Sequence, residues 1–84
     1  MSYEKYFQAF NEVRKDMKVK DGTYVPSDVL ATMVRKQERE NGEDGFSDEE
    51  EVISVYEEMV EEGEVEKIEV LGFPGTKTCY RLKE

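Results

Sequence analysis

Apolar residues recur every three or four positions between residues 48 and 62, and this spacing predicts an amphipathic helix. Ser47 is a suitable N-cap, and Glu50, three residues later, would complete a capping box. Gly63 supplies the left-handed residue that commonly ends a helix. The stripe expected to face the core consists of Val52, Ile53, Val55, Tyr56, Met59 and Val60.

Two further helices are predicted in the first half of the chain, near residues 3–18 and 27–41, with Ser2 and Ser27 as their N-caps. The apolar face of the first consists of Tyr3, Tyr6, Phe7, Phe10, Val13 and Met17. The second would bury Val29, Leu30, Met33 and Val34. Its polar outer end would hold Arg35, Lys36, Glu38, Arg39 and Glu40.

Three short strands are expected around these helices. Thr23–Val25 is β-prone and is closed by a proline. Residues 65–71 and 77–83 flank a glycine- and proline-rich connection, which predicts a C-terminal β-hairpin. Pairing Leu71 with Lys77 would place Ile68 opposite Tyr80, facing the core. The core is then expected to contain Phe7, Phe10, Leu30, Val34, Tyr56, Met59, Ile68 and Leu82.

The order helix, short strand, helix, helix, β-hairpin resembles that of a winged-helix domain. The matching pieces are Thr23–Val25, Ser27–Glu40, Asp48–Glu62 and Val65–Lys83, and Cys79-Tyr80-Arg81-Leu82 looks like the last wing strand of winged-helix regulators. The resemblance implies one α+β domain over residues 1–84. In the members that bind DNA, the third helix enters the major groove and basic residues contact phosphates.

The charge distribution departs from that DNA-binding pattern. The chain carries a net charge of −9, and twelve of its 21 acidic residues fall within residues 43–66, which contain no Lys or Arg. A third helix with this charge would repel phosphate, so specific duplex binding is not expected. A folded, negatively charged surface is expected instead of a disordered acidic tail, because the apolar stripe runs through the same segment.

These features favour a small interaction protein without catalytic activity, in which the acidic helix docks on a basic protein surface, for example that of a nucleic-acid-binding protein. Inhibitors and DNA mimics of phages and other mobile elements are similar in type. The alternative is a winged-helix regulator that binds DNA through the wing and the basic end of the first helix. A structural module, or an acidic face that only maintains solubility, also stays open. The expected partner-binding residues are Asp48, Glu49, Glu50, Glu51, Glu57, Glu58, Glu61, Glu62 and Phe73.

Other chemistry finds little support in the sequence. The chain has no histidine, so Cys79 has no imidazole base and zinc has no histidine ligand. A calcium loop over residues 40–51 would have Gly42 at its third position, where an oxygen ligand is needed, so no metal or cofactor is expected. Neither a membrane-length apolar run nor a signal-peptide core occurs, and a single cysteine requires no oxidising compartment. We therefore expect a cytoplasmic protein.

Overall fold

The computed structural model describes residues 3–20, 22–43, 47–72 and 75–83. Its elements are the helices α1 (Glu4–Met17), α2 (Ser27–Glu40) and α3 (Glu49–Glu61) and the strands β1 (Val25–Pro26), β2 (Val65–Gly72) and β3 (Gly75–Leu82). The three helices and the antiparallel sheet confirm the α+β class and the predicted winged-helix-like order. None of the described helices is long and apolar enough to cross a membrane.

The sheet has the strand order β1–β3–β2, with β3 in the middle. The prediction of a strand at Thr23–Val25 was wrong in its position, because the extended pair is Val25–Pro26, opposite Tyr80 and Cys79. Only these two residues pair with the edge of β3 that β2 leaves free. A proline is tolerated in β1 because this is an edge strand, whose outer side has no neighbouring strand that needs a backbone N–H donor.

The hairpin register was wrong by one residue. Val70, and not Leu71, lies opposite Lys77, so that Ile68 faces Cys79 and Lys67 faces Tyr80. Gly72 pairs with Gly75, which leaves two residues between the strands, and Gly75 adopts a left-handed φ of 97° that such a tight connection favours. Because a shift by one residue reverses every side chain, Ile68 points away from the core and is 36% exposed.

Helix ends follow the expected boundaries, but all three capping residues differ. The N-cap of α3 is Asp48, which accepts a hydrogen bond from the Glu51 backbone N–H (2.8 Å). Ser47 is therefore not the cap, and Glu50 completes no capping box. Ser27 is already the first residue of α2, whose N-cap position is taken by Pro26 without a side-chain hydrogen bond. The N-cap position of α1 is taken by Tyr3 without a side-chain hydrogen bond, and the predicted cap, Ser2, lies outside the described residues.

The core is built around the ring of Tyr56 on α3. Tyr6 and Phe10 of α1 approach it edge-on, at ring centroid distances of 5.5 and 5.6 Å, and Tyr80 of β3 stacks on it at 5.3 Å. The Tyr56 hydroxyl donates a buried hydrogen bond of 2.9 Å to the Tyr6 carbonyl. Each aromatic pair contributes about 0.5–1.5 kcal/mol beyond its burial, so this cluster fixes α3 against α1 and the sheet.

Five of the eight predicted core residues are fully enclosed. These are Phe10, Leu30, Val34, Tyr56 and Met59. Phe7 and Leu82 pack against the core from its border and are half-buried. Ile68 is the error, as its register requires.

Glu38 on α2 contradicts the expectation of a polar, exposed helix end, because it is 3% exposed. Its carboxylate accepts hydrogen bonds from the Lys5 ammonium (2.8 Å), the Ser47 backbone N–H (2.9 Å) and the Ser47 hydroxyl (2.6 Å). Burial alone would raise the pKa of Glu38, but the Lys5 and Ser47 hydrogen bonds outweigh it and lower the pKa. Glu38 therefore connects α1 and α2 to the residue that precedes the α3 cap.

Candidate functional site: the acidic face of the third helix

The acidic face, as we name it, consists of Asp48, Glu49, Glu50, Glu51, Glu57, Glu58, Glu61 and Glu62. All of these side chains are exposed except Glu57, which is half-buried. The helix presents Val52, Tyr56 and Met59 to the core, which leaves its opposite side to the acids. On this fully described helix, Ser54 is the only exposed residue that is not acidic. The structure thus brings eight of the nine predicted partner-binding residues onto one element, and Phe73 lies outside the described residues.

The acids at the start of α3 have a local structural reason. Asp48 caps the helix, and Glu49, Glu50 and Glu51 occupy its first turn. Unpaired backbone N–H groups and the positive end of the helix dipole favour negative charge at these positions, by about 0.3–1 kcal/mol each. Their presence is therefore explained by folding alone.

The acids at the end of α3 have no such capping role, although the Tyr3 hydroxyl, just before α1, hydrogen-bonds to Glu62 and Glu58. Glu58, Glu61 and Glu62 lie where the helix dipole disfavours negative charge, and the last turn of α3 contains no basic residue. Glu58 and Glu62 stand one turn apart, a spacing that costs a few tenths of a kcal/mol for like charges. The C-terminal half of the acidic face therefore destabilises the helix that carries it.

Glu57 forms the boundary between the acidic face and the hairpin. Its carboxylate accepts a hydrogen bond of 2.6 Å from Lys67 on β2, and both side chains are partly exposed. Glu57, predicted as a partner-binding residue, is therefore already paired with a base within the protein. Among the residues that the structure describes, it is the only acid of the face that pairs with a base.

On its other side the acidic face borders α1. Tyr6, Glu51, Ser54 and Glu58 line a shallow depression between the two helices, together with Asp48, Glu50 and Val55. Partial burial, followed by hydrogen bonding to Glu62 and the negative charges of Glu62 and Glu58, raises the pKa of the Tyr3 hydroxyl. The depression therefore offers carboxylate acceptors beside apolar ring surface, which suits the aliphatic stem and charged end of a lysine or arginine side chain. The assignment of Tyr6 to the core is correct, and the helical spacing gave no sign that Tyr3 would hydrogen-bond to Glu62 of the acidic face.

The basic residues named for the alternative DNA-binding function gather elsewhere. Arg14, Lys20 and Arg81 line a narrow groove between the end of α1, the segment before β1, and β3. The Arg81 guanidinium lies 4.5 Å from the Tyr24 ring centroid and also contacts the Gly22 carbonyl and the Glu66 carboxylate. Much of its hydrogen-bonding capacity is thus used within the protein.

The described residues contain no cluster of metal ligands, and their one cysteine is buried. No group of three or more Cys, Asp or Glu side chains among them is placed to hold a metal ion, and Asp44, within the segment 40–51 that was considered and rejected as a calcium loop, lies outside them. Cys79 is buried between β1 and β2, and burial raises the pKa of its thiol, which disfavours the reactive thiolate. No protein-family model matches this chain, and no curated protein or solved structure is significantly similar to it.

Proposed function

We propose that this protein is a non-catalytic, cytoplasmic interaction module that docks the acidic face of α3 on a basic protein surface. The observation that carries the proposal is the placement of Glu58, Glu61 and Glu62 at the helix end where negative charge destabilises the fold. A lysine at these exposed positions would suit the helix dipole better. The presence of these acids is explained if a basic partner neutralises them, since surface charges speed association and select partners.

The chemistry of the face indicates the type of partner. Six carboxylates within a helix of 13 residues, and two more on its cap residues, create a strongly negative potential that attracts clustered lysines and arginines. Such clusters are typical of proteins that bind nucleic acid, because phosphate contacts dominate their affinity. We therefore propose a nucleic-acid-binding protein as the partner, which the acidic face would occupy in competition with nucleic acid. An inhibitor of the kind carried by phages would act in this way.

The test combines partner capture with a charge reversal. Partners captured from host lysate at 100 mM NaCl and released at 500 mM would be identified and purified. Their affinity would be measured for the wild type and for Glu58→Lys with Glu62→Lys. The control, Asp28→Lys with Glu40→Lys, makes the same charge change at exposed positions on α2.

We expect the α3 variant to bind at least about tenfold more weakly, mainly through a slower association at low salt, while the control binds nearly as the wild type does. The melting temperature of the α3 variant should equal or exceed that of the wild type, because like-charge repulsion is removed. Equal weakening by both variants, or no weakening in either, would return the acidic face to a solubilising role.

The alternative function, DNA binding through the wing and α1, has one observation in its favour. The structure brings Arg14 and Lys20 next to Arg81, although they are far apart in sequence. If this groove contacts phosphates, the wild type should bind duplex DNA with an affinity that decreases steeply as salt rises, and Lys20→Glu should abolish this binding. We expect no sequence-specific duplex binding by the wild type, as measured by fluorescence anisotropy at 150 mM NaCl.

A further inference from the structure

Strand β2 lies at the edge of the sheet and is unusually apolar for an exposed edge. Three of the four large apolar side chains that the described residues expose belong to it: Ile68 (36%), Val70 (45%) and Leu71 (89%). Edge strands of monomeric proteins are commonly protected by prolines, bulges or several charges, because their unpaired backbone groups accept another strand. From Val65 to Gly72, β2 pairs with β3 at every residue, without a bulge or a proline.

The sequence of β2 is complementary to itself in one antiparallel register. If Ile68 lies opposite Ile68 of a second copy, Lys67 falls opposite Glu69 of that copy, and Glu69 falls opposite its Lys67. In the same register, the exposed Leu71 lies opposite Val65. Two ion pairs and a central Ile68–Ile68 contact would thus form across the new strand pair, each of a kind that stabilises sheets, whereas the buried Val65 offers Leu71 little surface and Val70 lies opposite Glu66.

The other registers are less favourable. A two-fold axis perpendicular to the sheet keeps the same face of both strands on the same side, so the axis must pass between two copies of the same residue. Each alternative register is therefore centred on a different residue of β2. Centring on Lys67 opposes two lysines, and centring on Glu69 opposes two glutamates. Centring on Val70 removes both ion pairs and shortens the overlap.

We propose that the protein forms a homodimer by antiparallel pairing of β2 with β2 of a second copy, centred on Ile68, which joins the two sheets into one of six strands. The two-fold axis then places both α3 helices on the same side of the joined sheet. The dimer would present two acidic faces together, a larger negative surface than one copy provides.

The net charge of −9 on each copy opposes this association. Ionic strength screens that long-range repulsion, whereas the backbone hydrogen bonds and the apolar contacts of paired strands depend little on salt. We therefore expect the dimer dissociation constant to fall as NaCl rises from 20 to 300 mM, the opposite of the trend expected for binding to a basic partner.

The experiment is sedimentation equilibrium of the full chain at 300 mM NaCl over a wide concentration range. Lys67→Glu and Glu69→Lys each turn two attractive pairs into two repulsive ones, so each should raise the dimer dissociation constant at least about tenfold. The double variant with both changes exchanges the charges and keeps their complementarity, and it should restore dimerisation. Glu57→Gln removes the internal partner of Lys67 without altering the strand, and it should leave the dimer intact.

A monomeric wild type throughout this range would overturn the proposal. A dimer that both single variants leave unchanged would place the contact elsewhere on the protein and equally refute this register. The outcome is separate from that of the charge reversal on α3, since Glu58 and Glu62 take no part in the pairing of β2.

Discussion

We expect Glu38→Ala to destabilise the protein more than the alanine substitution of any other charged residue that the structure describes. The Glu38 side chain is 4% exposed, and it accepts three hydrogen bonds, one from Lys5 and two from Ser47. Glu38→Ala would leave the Ser47 backbone N–H and hydroxyl without their acceptor at the point where the chain enters α3. Lys5 would keep one partner, Glu43, at 3.2 Å.

The size of the effect can be bounded from these contacts. Breaking a buried ion pair by removing one partner costs about 3–5 kcal/mol. Lys5 is 23% exposed and can recover hydration, which lowers the expected loss of unfolding free energy to about 2–4 kcal/mol. For a domain of this size, that corresponds to a fall in melting temperature of roughly 8–30 °C.

Urea and thermal unfolding followed by circular dichroism would measure the loss. Glu40→Ala is the matched control, since Glu40 is an exposed acid two residues further along the same helix. The control should change the unfolding free energy by less than about 0.5 kcal/mol. Glu38→Gln should fall between the two, because its amide carbonyl can still accept from Ser47 but no longer pairs with a charge on Lys5.

The pH dependence gives an independent check. The pKa of Glu38 is lowered in the folded state, so the folded protein holds the proton less tightly than the unfolded chain does. The stability from this carboxylate is therefore fully present above the ordinary pKa of 4.5 and is lost as the pH falls through the folded pKa. The stability difference between the wild type and Glu38→Gln should narrow as the pH is lowered from 7 to 3.

Two results would refute this reasoning. One is a Glu38→Ala variant whose unfolding free energy lies within about 0.5 kcal/mol of the wild type. The other is a stability difference between the wild type and Glu38→Gln that stays constant between pH 7 and pH 3. Either would mean that the carboxylate is hydrated in solution and does not fix the start of α3.

Two further predictions concern the core and can use the same unfolding measurements. Leu30→Ala and Phe10→Ala should each lower the unfolding free energy by about 2–5 kcal/mol through lost burial and a cavity. Ile68→Ala should lower it by less than about 1 kcal/mol, because its side chain is partly solvated. Equal losses for all three variants would contradict the hairpin register. Tyr56→Phe should lower the unfolding free energy by about 0.5–1.5 kcal/mol, because it removes the hydrogen bond to Tyr6. Tyr80→Phe should be neutral or stabilising, since the buried Tyr80 hydroxyl has no hydrogen-bond partner among the described residues. A larger loss for Tyr80→Phe than for Tyr56→Phe would contradict this assignment of the two hydroxyls.

Local periodicity was enough to predict the elements of this fold. The stripe from Val52 to Val60 and the turn residue Gly63 predicted α3 to within one residue at each end, and the alternation of residues 77–83 predicted β3. These signals depend on neighbours in the chain, so they can be read without knowing the tertiary structure. The concentration of acids on α3 was visible for the same reason.

Glu38 shows how partners distant in sequence decide the fate of a charged residue. It falls four residues after Val34 and eight after Leu30, on the apolar stripe of α2, and this spacing was the available sign of its burial. A carboxylate at such a position is normally excluded from a core, and only Lys5 and Ser47, from two other parts of the chain, make its burial favourable.

The sequence by itself therefore determined the helices, the hairpin and the negative charge of α3, because each arises from local periodicity and composition. Tertiary structure alone decided the register that turns Ile68 outward, the burial of Glu38, and the proximity of Arg14 to Arg81. A strand register depends on the length of the connection between the paired strands, and a contact between distant residues depends on how packed elements are oriented. Neither quantity is encoded in the spacing of neighbouring residues.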